Sequence, residues 1–156
     1  MKKTVNIKSL AVCVAIPLLV GGLSSLLIRN SFSVYETEAL PPLAPPPVVF
    51  PIVWAVLYIL MGVSSYLIWR TGDQRRFTAL TVYGVQLVMN FIWPLLFFEM
   101  REFLFAVIWL GLLFIAVLAM AILFKKLRPA AGILQIPYLL WLAFAFYLNL
   151  GVYLLN

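Results

Sequence analysis

Tyrosine, tryptophan, asparagine and glutamine recur at helical spacing in three apolar segments of this 156-residue chain. Steps of three and four residues place side chains on one face of an α-helix. Aromatic rings and amides on converging faces suit a flat, largely apolar ligand. Helix packing, with Asn and Gln as interhelical hydrogen-bonding groups, explains the same pattern and stays open as an alternative. The three sets are Trp54, Tyr58, Met61 and Ser65; Tyr83, Gln86, Asn90, Trp93 and Phe97; and Tyr138, Trp141, Ala145 and Asn149.

Several other kinds of site are excluded by the residues that the sequence lacks. It contains no histidine, which rules out His-ligated zinc, His-held haem and Ser-His or Cys-His catalytic pairs. Cys13 is the one cysteine, so neither an internal disulfide nor a thiolate metal cluster can form. We therefore expect no metal site, no resident cofactor, and no hydrolytic or metal-based catalysis.

The composition indicates an integral membrane protein. Apolar residues make up 65% of the chain and charged residues 10%, and the mean hydropathy is +1.10. Soluble chains carry roughly 45–50% apolar and about 25% charged residues, so this chain has too little polar surface to face water. A soluble enzyme and a nucleic-acid binder are both disfavoured, despite the net charge of +6.

Five long uncharged runs predict five transmembrane helices in a single all-α domain over residues 1–156. About 20 residues at roughly 1.5 Å each cross a hydrocarbon core of about 30 Å. The connection 29–47 holds five of the ten prolines and is expected to be an extended, semi-rigid loop rather than a helix. The predicted helices cover residues 9–28, 48–69, 77–98, 103–124 and 130–155.

The distribution of positive charge predicts the orientation. Nine of the eleven Lys and Arg residues fall on one side of the five spans, and Arg29 and Arg101 fall on the other. The positive-inside rule then places the N-terminus in the cytoplasm and the C-terminus outside. The nine are Lys2, Lys3, Lys8, Arg70, Arg75, Arg76, Lys125, Lys126 and Arg128.

The first 28 residues also permit interpretation as a signal peptide, because Lys2 and Lys3 precede an apolar stretch. The stretch is longer than the apolar region of a usual signal peptide. The end of the stretch, "LVGGLSSLLIRN" (19–30), offers no good small-residue cleavage site. A retained first helix is the favoured interpretation.

The predicted spans contain no Lys, Arg, Asp or Glu, which argues against a proton pump or a charged ion channel. Counted from the outer ends of their helices, Trp54, Asn90, Ala145 and Trp141 lie about 9, 12, 15 and 21 Å deep. These side chains could converge on a cavity below the proline-rich loop. Pro94 leaves the Asn90 carbonyl without a helical donor, which provides a polar group in such a cavity or simply a kink.

Three segments carry a resemblance to bacterial members of the translocator protein (TspO/MBR) family. The family is also called tryptophan-rich sensory protein and, in mitochondria, peripheral-type benzodiazepine receptor. The family's Pro-Trp-Leu-Tyr-Met-Gly block, its Asn-x-x-Trp-Pro block and its Pro-Tyr-x-x-Trp block match in order on the second, third and fifth helices. The segments are "LPPLAPPPVVFPIVWAVLYILMGVSSYLIW" (40–69), "NFIWPLLFF" (90–98) and "PYLLWLAFAFYLNLGVYLLN" (137–156).

The resemblance implies a pocket under the first loop that binds porphyrins such as protoporphyrin IX and, in many members, isoquinoline carboxamide or benzodiazepine-type drugs. It implies that Trp54 and Trp141 face the porphyrin, which some bacterial members are reported to degrade in light and oxygen. It further implies a bacterial cell membrane location, contact with membrane lipids and a possible homodimer, without nucleic acid. The remaining lining residues on the matching positions are Tyr35, Pro45, Tyr58, Asn90, Trp93, Phe97 and Ala145.

The resemblance implies that the protein senses, sequesters or transports tetrapyrroles under stress. As an alternative, it implies an enzyme that degrades porphyrins in light and oxygen by means of Trp54 and Trp141.

The first loop departs from the family pattern. Val34 stands where the family has a Trp, and the stretch from Leu40 to Pro46 lacks the family's Lys and Trp. No basic residue follows Arg128, so the family's C-terminal cholesterol-recognition pattern is not supported.

Overall fold

Five long apolar helices form the protein, as seen in a computed structural model that describes residues 4–156. Lys2 and Lys3, which entered the charge count, lie outside the described residues. Each of the five helical segments is long and apolar enough to cross a membrane, and residues 4–156 contain no strand. This confirms the predicted all-α membrane bundle. The segments are Ile7–Ile28, Val49–Trp69, Arg76–Glu99, Phe103–Leu127 and Pro129–Leu155.

Three of these segments are single helices and two are interrupted. A short helix also lies in the connection between the first two segments, where the sequence predicted an extended chain. The elements in order are α1 (Ile7–Ile28), α2 (Val34–Thr37), α3 (Val49–Trp69), α4 (Arg76–Pro94), a π-helical turn (Leu95–Glu99), α5 (Phe103–Leu127), α6 (Pro129–Ile133) and α7 (Ile136–Leu155).

Proline accounts for both interruptions, because it lacks the N–H that a continuing helix requires. Pro94 ends α4, and the chain continues in wider turns in which the Met100 amide bonds the carbonyl of Leu95 at 2.9 Å. Pro137 lies in the first turn of α7, a position that tolerates proline, so a new helix begins there. The predicted single helix 130–155 is therefore wrong in detail, since a turn separates α6 from α7.

Helix α1 packs most extensively on α3, through glycines that let the two backbones meet. A Cβ atom built on Gly62 would lie 2.4 Å from Cα of Val14 and 2.7 Å from the carbonyl oxygen of Cys13. A Cβ built on Gly21 would lie 2.2 Å from the ring of Tyr58. Small residues at such crossings are the usual means of close packing between membrane helices.

Helix α5 supplies much of the core and packs on α4 and α7. Its residues Leu110, Leu113 and Val117 are fully buried at steps of three and four. Large apolar side chains elsewhere point outward, such as Leu19, Ile115 and Leu140, each more than 60% exposed. Outward-facing residues of this kind are what lipid tails would cover, as expected for an integral multi-pass membrane protein.

Charged residues collect at the two ends of the bundle. At one end, which we call the basic end, Arg70 donates to the carbonyl of Thr4 at 2.8 Å and Arg75 pairs with Asp73 at 2.9 Å. The opposite end carries residues 29–47 and is called the loop end. There Arg101 pairs with Glu38 at 3.2 Å.

Candidate functional site

A cavity of about 460 Å³ occupies the loop-end half of the bundle. Its walls come from α1, α3, α4, the π-helical turn and α7, and residues of the 29–47 connection cover it. Drug-sized ligands occupy pockets of roughly 300–1,000 Å³ lined mainly by apolar and aromatic side chains, so this cavity has the size and character of a ligand site.

Seven of the nine residues that the family resemblance assigned to the pocket line this cavity. Three helices, the π-helical turn and the loop position them, because the stripes on α3, on α4 with its π-helical turn, and on α7 face one another at this end of the bundle. The structure shows that these side chains surround one cavity. That they bind a ligand stays a prediction. The seven are Tyr35, Trp54, Tyr58, Asn90, Trp93, Phe97 and Ala145.

Pro45 and Trp141 do not line the cavity. The carbonyl oxygen of Pro45 instead accepts a hydrogen bond from the hydroxyl of Tyr35, so Pro45 holds a residue that does line it. The ring of Trp141 packs edge-on against Phe50, with 5.9 Å between ring centroids, and lies 5.5 Å from the ring of Phe144. Trp141 therefore stands behind Phe50, which lines the cavity.

The depth count misplaced Trp141 because it took Leu155 as the level of the membrane boundary. The loop packs along the last turns of α7: the Tyr147 hydroxyl donates to the Pro42 carbonyl at 2.6 Å, and Pro41 lies against Gly151. These turns therefore stand beside the loop. The contact with Phe50 places Trp141 at the level of the first turn of α3.

Aromatic rings form the deep wall of the cavity around Trp54. The Trp54 ring stacks on Tyr58 with centroids 5.5 Å apart, and it lies 6.4 Å from the ring of Trp93. Trp93 in turn stacks on Phe97 at 6.0 Å. Flat rings in offset contact present broad apolar faces to whatever enters.

A chain of buried hydrogen bonds fixes the polar side chains behind these rings. The Tyr58 hydroxyl donates to Oδ1 of Asn90 at 2.7 Å, and Nδ2 of Asn90 donates to the Tyr138 hydroxyl at 2.7 Å. Tyr138 then donates to Oε1 of Gln86 at 2.8 Å. The chain joins α3, α4 and α7, so the amides serve as interhelical hydrogen-bonding groups and at the same time orient the cavity wall.

Asn149 has a similar role about three helical turns beyond Tyr138 on α7, nearer the loop end. Its Oδ1 accepts a hydrogen bond from Nε1 of Trp93 at 2.9 Å, which fixes the orientation of that indole. Both side chains are buried. Asn149 belonged to the stripe predicted on the last helix, although it was not among the nine predicted site residues.

Helix α1 contributes a wall that the sequence analysis missed. Gly21, Ser25 and Arg29 are spaced four residues apart and all line the cavity. The spacing alone could have revealed this face, but glycine and serine in a membrane helix are equally typical of helix packing. Arg29 was counted only for orientation.

The loop is fastened over the cavity from several directions. The Asn156 side chain donates to the Ala39 carbonyl at 3.0 Å and accepts from the Ala39 amide at 3.1 Å. Ser31 donates to a carboxylate oxygen of Glu99. Burial raises the pKa of the Tyr35 hydroxyl, so it stays protonated at neutral pH and can donate to Pro45.

The side chains that line the cavity limit the chemistry that is available there. Among residues 4–156, no three His, Cys, Asp or Glu side chains lie close enough to hold a metal ion. The available polar and aromatic groups are indoles, phenols, phenyl rings, serine hydroxyls, amides and one guanidinium, that of Arg29. They can stack on a flat ligand, hydrogen-bond it and exclude water from it.

Comparisons with known proteins agree with this architecture. Residues 13–154 match the TspO/MBR family. The tryptophan-rich protein TspO of Chlorobaculum tepidum is 32% identical over 154 residues, covering 97% of this chain and 98% of that protein. The same-named protein of Archaeoglobus fulgidus is 32% identical over 97% of this chain and 99% of its own length. The translocator protein of Ovis aries is 37% identical over 83% of this chain and 79% of its own.

Proposed function

This chain belongs to the TspO/MBR family, and on that premise we propose that it binds porphyrins, such as protoporphyrin IX, and related flat aromatic molecules in the loop-end cavity. In this role it senses, sequesters or moves tetrapyrroles under stress. The porphyrin is a ligand rather than a resident cofactor. The observation that carries the proposal is the ring-lined cavity of about 460 Å³ beneath a fastened loop.

The shape of the wall supports a flat ligand. Trp54, Tyr58, Trp93 and Phe97 form a continuous series of ring contacts with centroid separations between 5.5 and 6.4 Å. A macrocycle that lies against this series gains stacking contact as well as buried apolar area. Isoquinoline carboxamide and benzodiazepine-type compounds, which are smaller and aromatic, would occupy part of the same space.

A second function is porphyrin degradation driven by light and oxygen, and one observation favours it. Trp54 lies in the cavity wall with Tyr58, Trp93 and Tyr138 around it, at centroid distances of 5.5, 6.4 and 6.1 Å. Oxidisable rings this close to a bound porphyrin could exchange electrons with it. Trp141, the other predicted catalytic residue, stands outside the cavity behind Phe50 and would act at longer range.

The proposal includes a cellular location, an orientation in the membrane and the pairing of two copies. The protein resides in a bacterial cell membrane with its N-terminus in the cytoplasm and its C-terminus outside, which puts the cavity in the outer half of the bilayer. Membrane lipids surround it, and a second copy of the chain can pair with it through a lipid-facing surface.

A titration with protoporphyrin IX tests the proposal. We expect saturable quenching of tryptophan fluorescence when the purified protein, in detergent, is titrated in the dark. Under light with oxygen, an unchanged porphyrin spectrum indicates a binder, whereas loss of the porphyrin absorbance that slows in Trp54→Phe indicates an enzyme. Absence of saturable quenching would leave helix packing as the explanation of the aromatic stripes.

Trp54→Ala should weaken porphyrin binding about two- to tenfold, since a ring stacking contact is worth about 0.5–1.5 kcal/mol beyond buried area. Binding is measured here by the porphyrin absorbance, because the substitution removes a fluorophore. Trp69→Ala, at the basic end, is the matched control and should bind as the wild type does. Equal affinities for all three proteins would remove Trp54 from the site.

A further inference from the structure

Of the described side chains that line the cavity, Arg29 alone carries a charge. The others are apolar, aromatic, hydroxyl or amide groups, and none is Asp or Glu. Arg29 follows the last residue of α1, where the carbonyls at the end of a helix favour a cation. One fixed positive charge therefore faces an otherwise uncharged space.

No acidic group in residues 4–156 neutralises Arg29. Its guanidinium makes no ion pair within 4.0 Å, although four glutamates lie at the same end of the bundle. Glu38 is paired with Arg101, and Glu99 accepts a hydrogen bond from the Ser31 hydroxyl. The Arg29 guanidinium is thus available to an incoming anion.

Arg29 also lies at the mouth of the cavity rather than in its depth. The lining residues that are exposed are Ser25 and Arg29 near the end of α1, and Pro47, Val48 and Pro51 near the start of α3. The buried lining residues, such as Asn90 and Trp93, lie farther in. A ligand with its apolar body against the rings would present its remaining end to Arg29.

We propose that the cavity selects flat amphiphiles bearing a carboxylate, with Arg29 as the specificity-determining residue that binds this carboxylate at the mouth. This inference rests on the proposed function and adds a ligand class to it. A planar guanidinium matches a carboxylate with two parallel hydrogen bonds, and Ser25, one helical turn earlier on the same face, can contribute a hydroxyl. Neutral aromatic ligands use the rings alone.

The expected size of the preference is modest, because Arg29 is exposed and water screens exposed ion pairs. We expect about a three- to tenfold advantage for an acid over its neutral ester. The advantage should shrink as salt is raised, since a screened charge loses its attraction while stacking does not.

The test compares protoporphyrin IX, a dicarboxylic acid, with its uncharged dimethyl ester. Dissociation constants are measured for the wild type, Arg29→Gln, Arg29→Lys and the matched control Arg128→Gln, which removes an exposed charge at the basic end. We expect the wild type and Arg128→Gln to prefer the acid. Arg29→Gln should lose the preference through weaker binding of the acid alone, and Arg29→Lys should keep some of it.

The outcomes separate the two proposals. Equal binding of acid and ester by the wild type, or a preference that persists in Arg29→Gln, overturns the role of Arg29 while porphyrin binding stands. Binding of neither compound by the folded wild type overturns the proposed function and this inference with it. A helical circular dichroism spectrum and a single gel-filtration peak for each variant show that the comparison is between folded proteins.

Discussion

Asn90 uses both ends of its side-chain amide inside the bundle. Its oxygen accepts from Tyr58 on α3 and its nitrogen donates to Tyr138 on α7. It also belongs to the cavity wall, so a single residue links the bundle's internal hydrogen bonds to the surface that a ligand would touch. The stability of the bundle and the proposed binding therefore depend on the same residue.

Asn90→Leu should destabilise the protein by about 1–3 kcal/mol. Leucine fills a similar volume but leaves the Tyr58 hydroxyl buried without its acceptor, which costs roughly this much. The measurement is the free energy of unfolding in a mixed detergent titration. Gln74→Leu, an exposed position in the basic-end turn, serves as the control and should change stability little. A stability for Asn90→Leu equal to that of the wild type would mean that the hydrogen-bond chain contributes nothing.

Most of the cavity wall could be predicted from the sequence, because the spacing of residues along a helix determines which side chains share a face. Trp54 and Tyr58, or Asn90 and Trp93, share a face whatever surrounds them. What spacing leaves open is the axial offset between helices. Trp141 shares a face with Ala145, yet it lies at the level of Phe50, packs against the ring of Phe50 and does not line the cavity.

At the scale of elements, the crossing of α1 and α3 depends on Gly62. Gly62→Ala should destabilise the bundle by about 1–3 kcal/mol, since the added methyl would overlap backbone atoms of Val14 and Cys13, so that α1 would have to shift. The free energy of unfolding is the measurement. Gly84→Ala is the control: no heavy atom lies within 4 Å of its added methyl, so stability should be unchanged or slightly raised. Similar effects of the two substitutions would argue against close packing at Gly62.

The loop over the cavity is held by hydrogen bonds to the end of α7. The double substitution Tyr147→Phe and Asn156→Ala removes these bonds, each worth about 0.5–1.5 kcal/mol. Porphyrin should then dissociate about two- to tenfold faster in stopped-flow experiments, because the loop opens more often.

Tyr153→Phe is the control for this experiment, since its hydroxyl has no hydrogen-bond partner among residues 4–156. Its dissociation rate should equal that of the wild type. An unchanged rate in the double variant would indicate that ligands leave by a route that the loop does not cover.

The number and limits of the spans could be read from charges, because an uncharged run of 20 or more residues has few alternatives to a membrane helix. The interruptions could not. Pro94 predicts a lost hydrogen bond but not whether the chain kinks or widens, and here it widens into a π-helical turn in which Phe97 and Phe98 are buried. Likewise, Pro137 permits a helix to begin near Ile136 but does not predict the turn before it, and the packing of Gly132 against Lys125 and Ala121 of α5 is visible only in the structure.

At the scale of the whole molecule, the asymmetry of charge predicts which end faces the cytoplasm. Cys13 is the one native cysteine, so Cys13→Ala gives a background without thiols. In that background, Ser33→Cys at the loop end should react with a membrane-impermeant maleimide on intact cells, and Gln74→Cys at the basic end should react only after the membrane is permeabilised. Both positions are exposed. The reverse pattern would invert the orientation and place the cavity toward the cytoplasm.

Because of the π-helical turn at Leu95–Glu99, the shape of the cavity depends on how many residues this turn contains as well as on which residues they are. A turn with five-residue hydrogen bonds accommodates an additional residue, and here it turns the adjacent Phe97 and Phe98 both inward, to 6% and 8% exposure. Deleting one residue from this turn would restore an ordinary helix and swing one of the two rings toward lipid. A gain or loss of a single codon in this stretch could therefore remodel the rim of the cavity while leaving the composition of the chain almost unchanged.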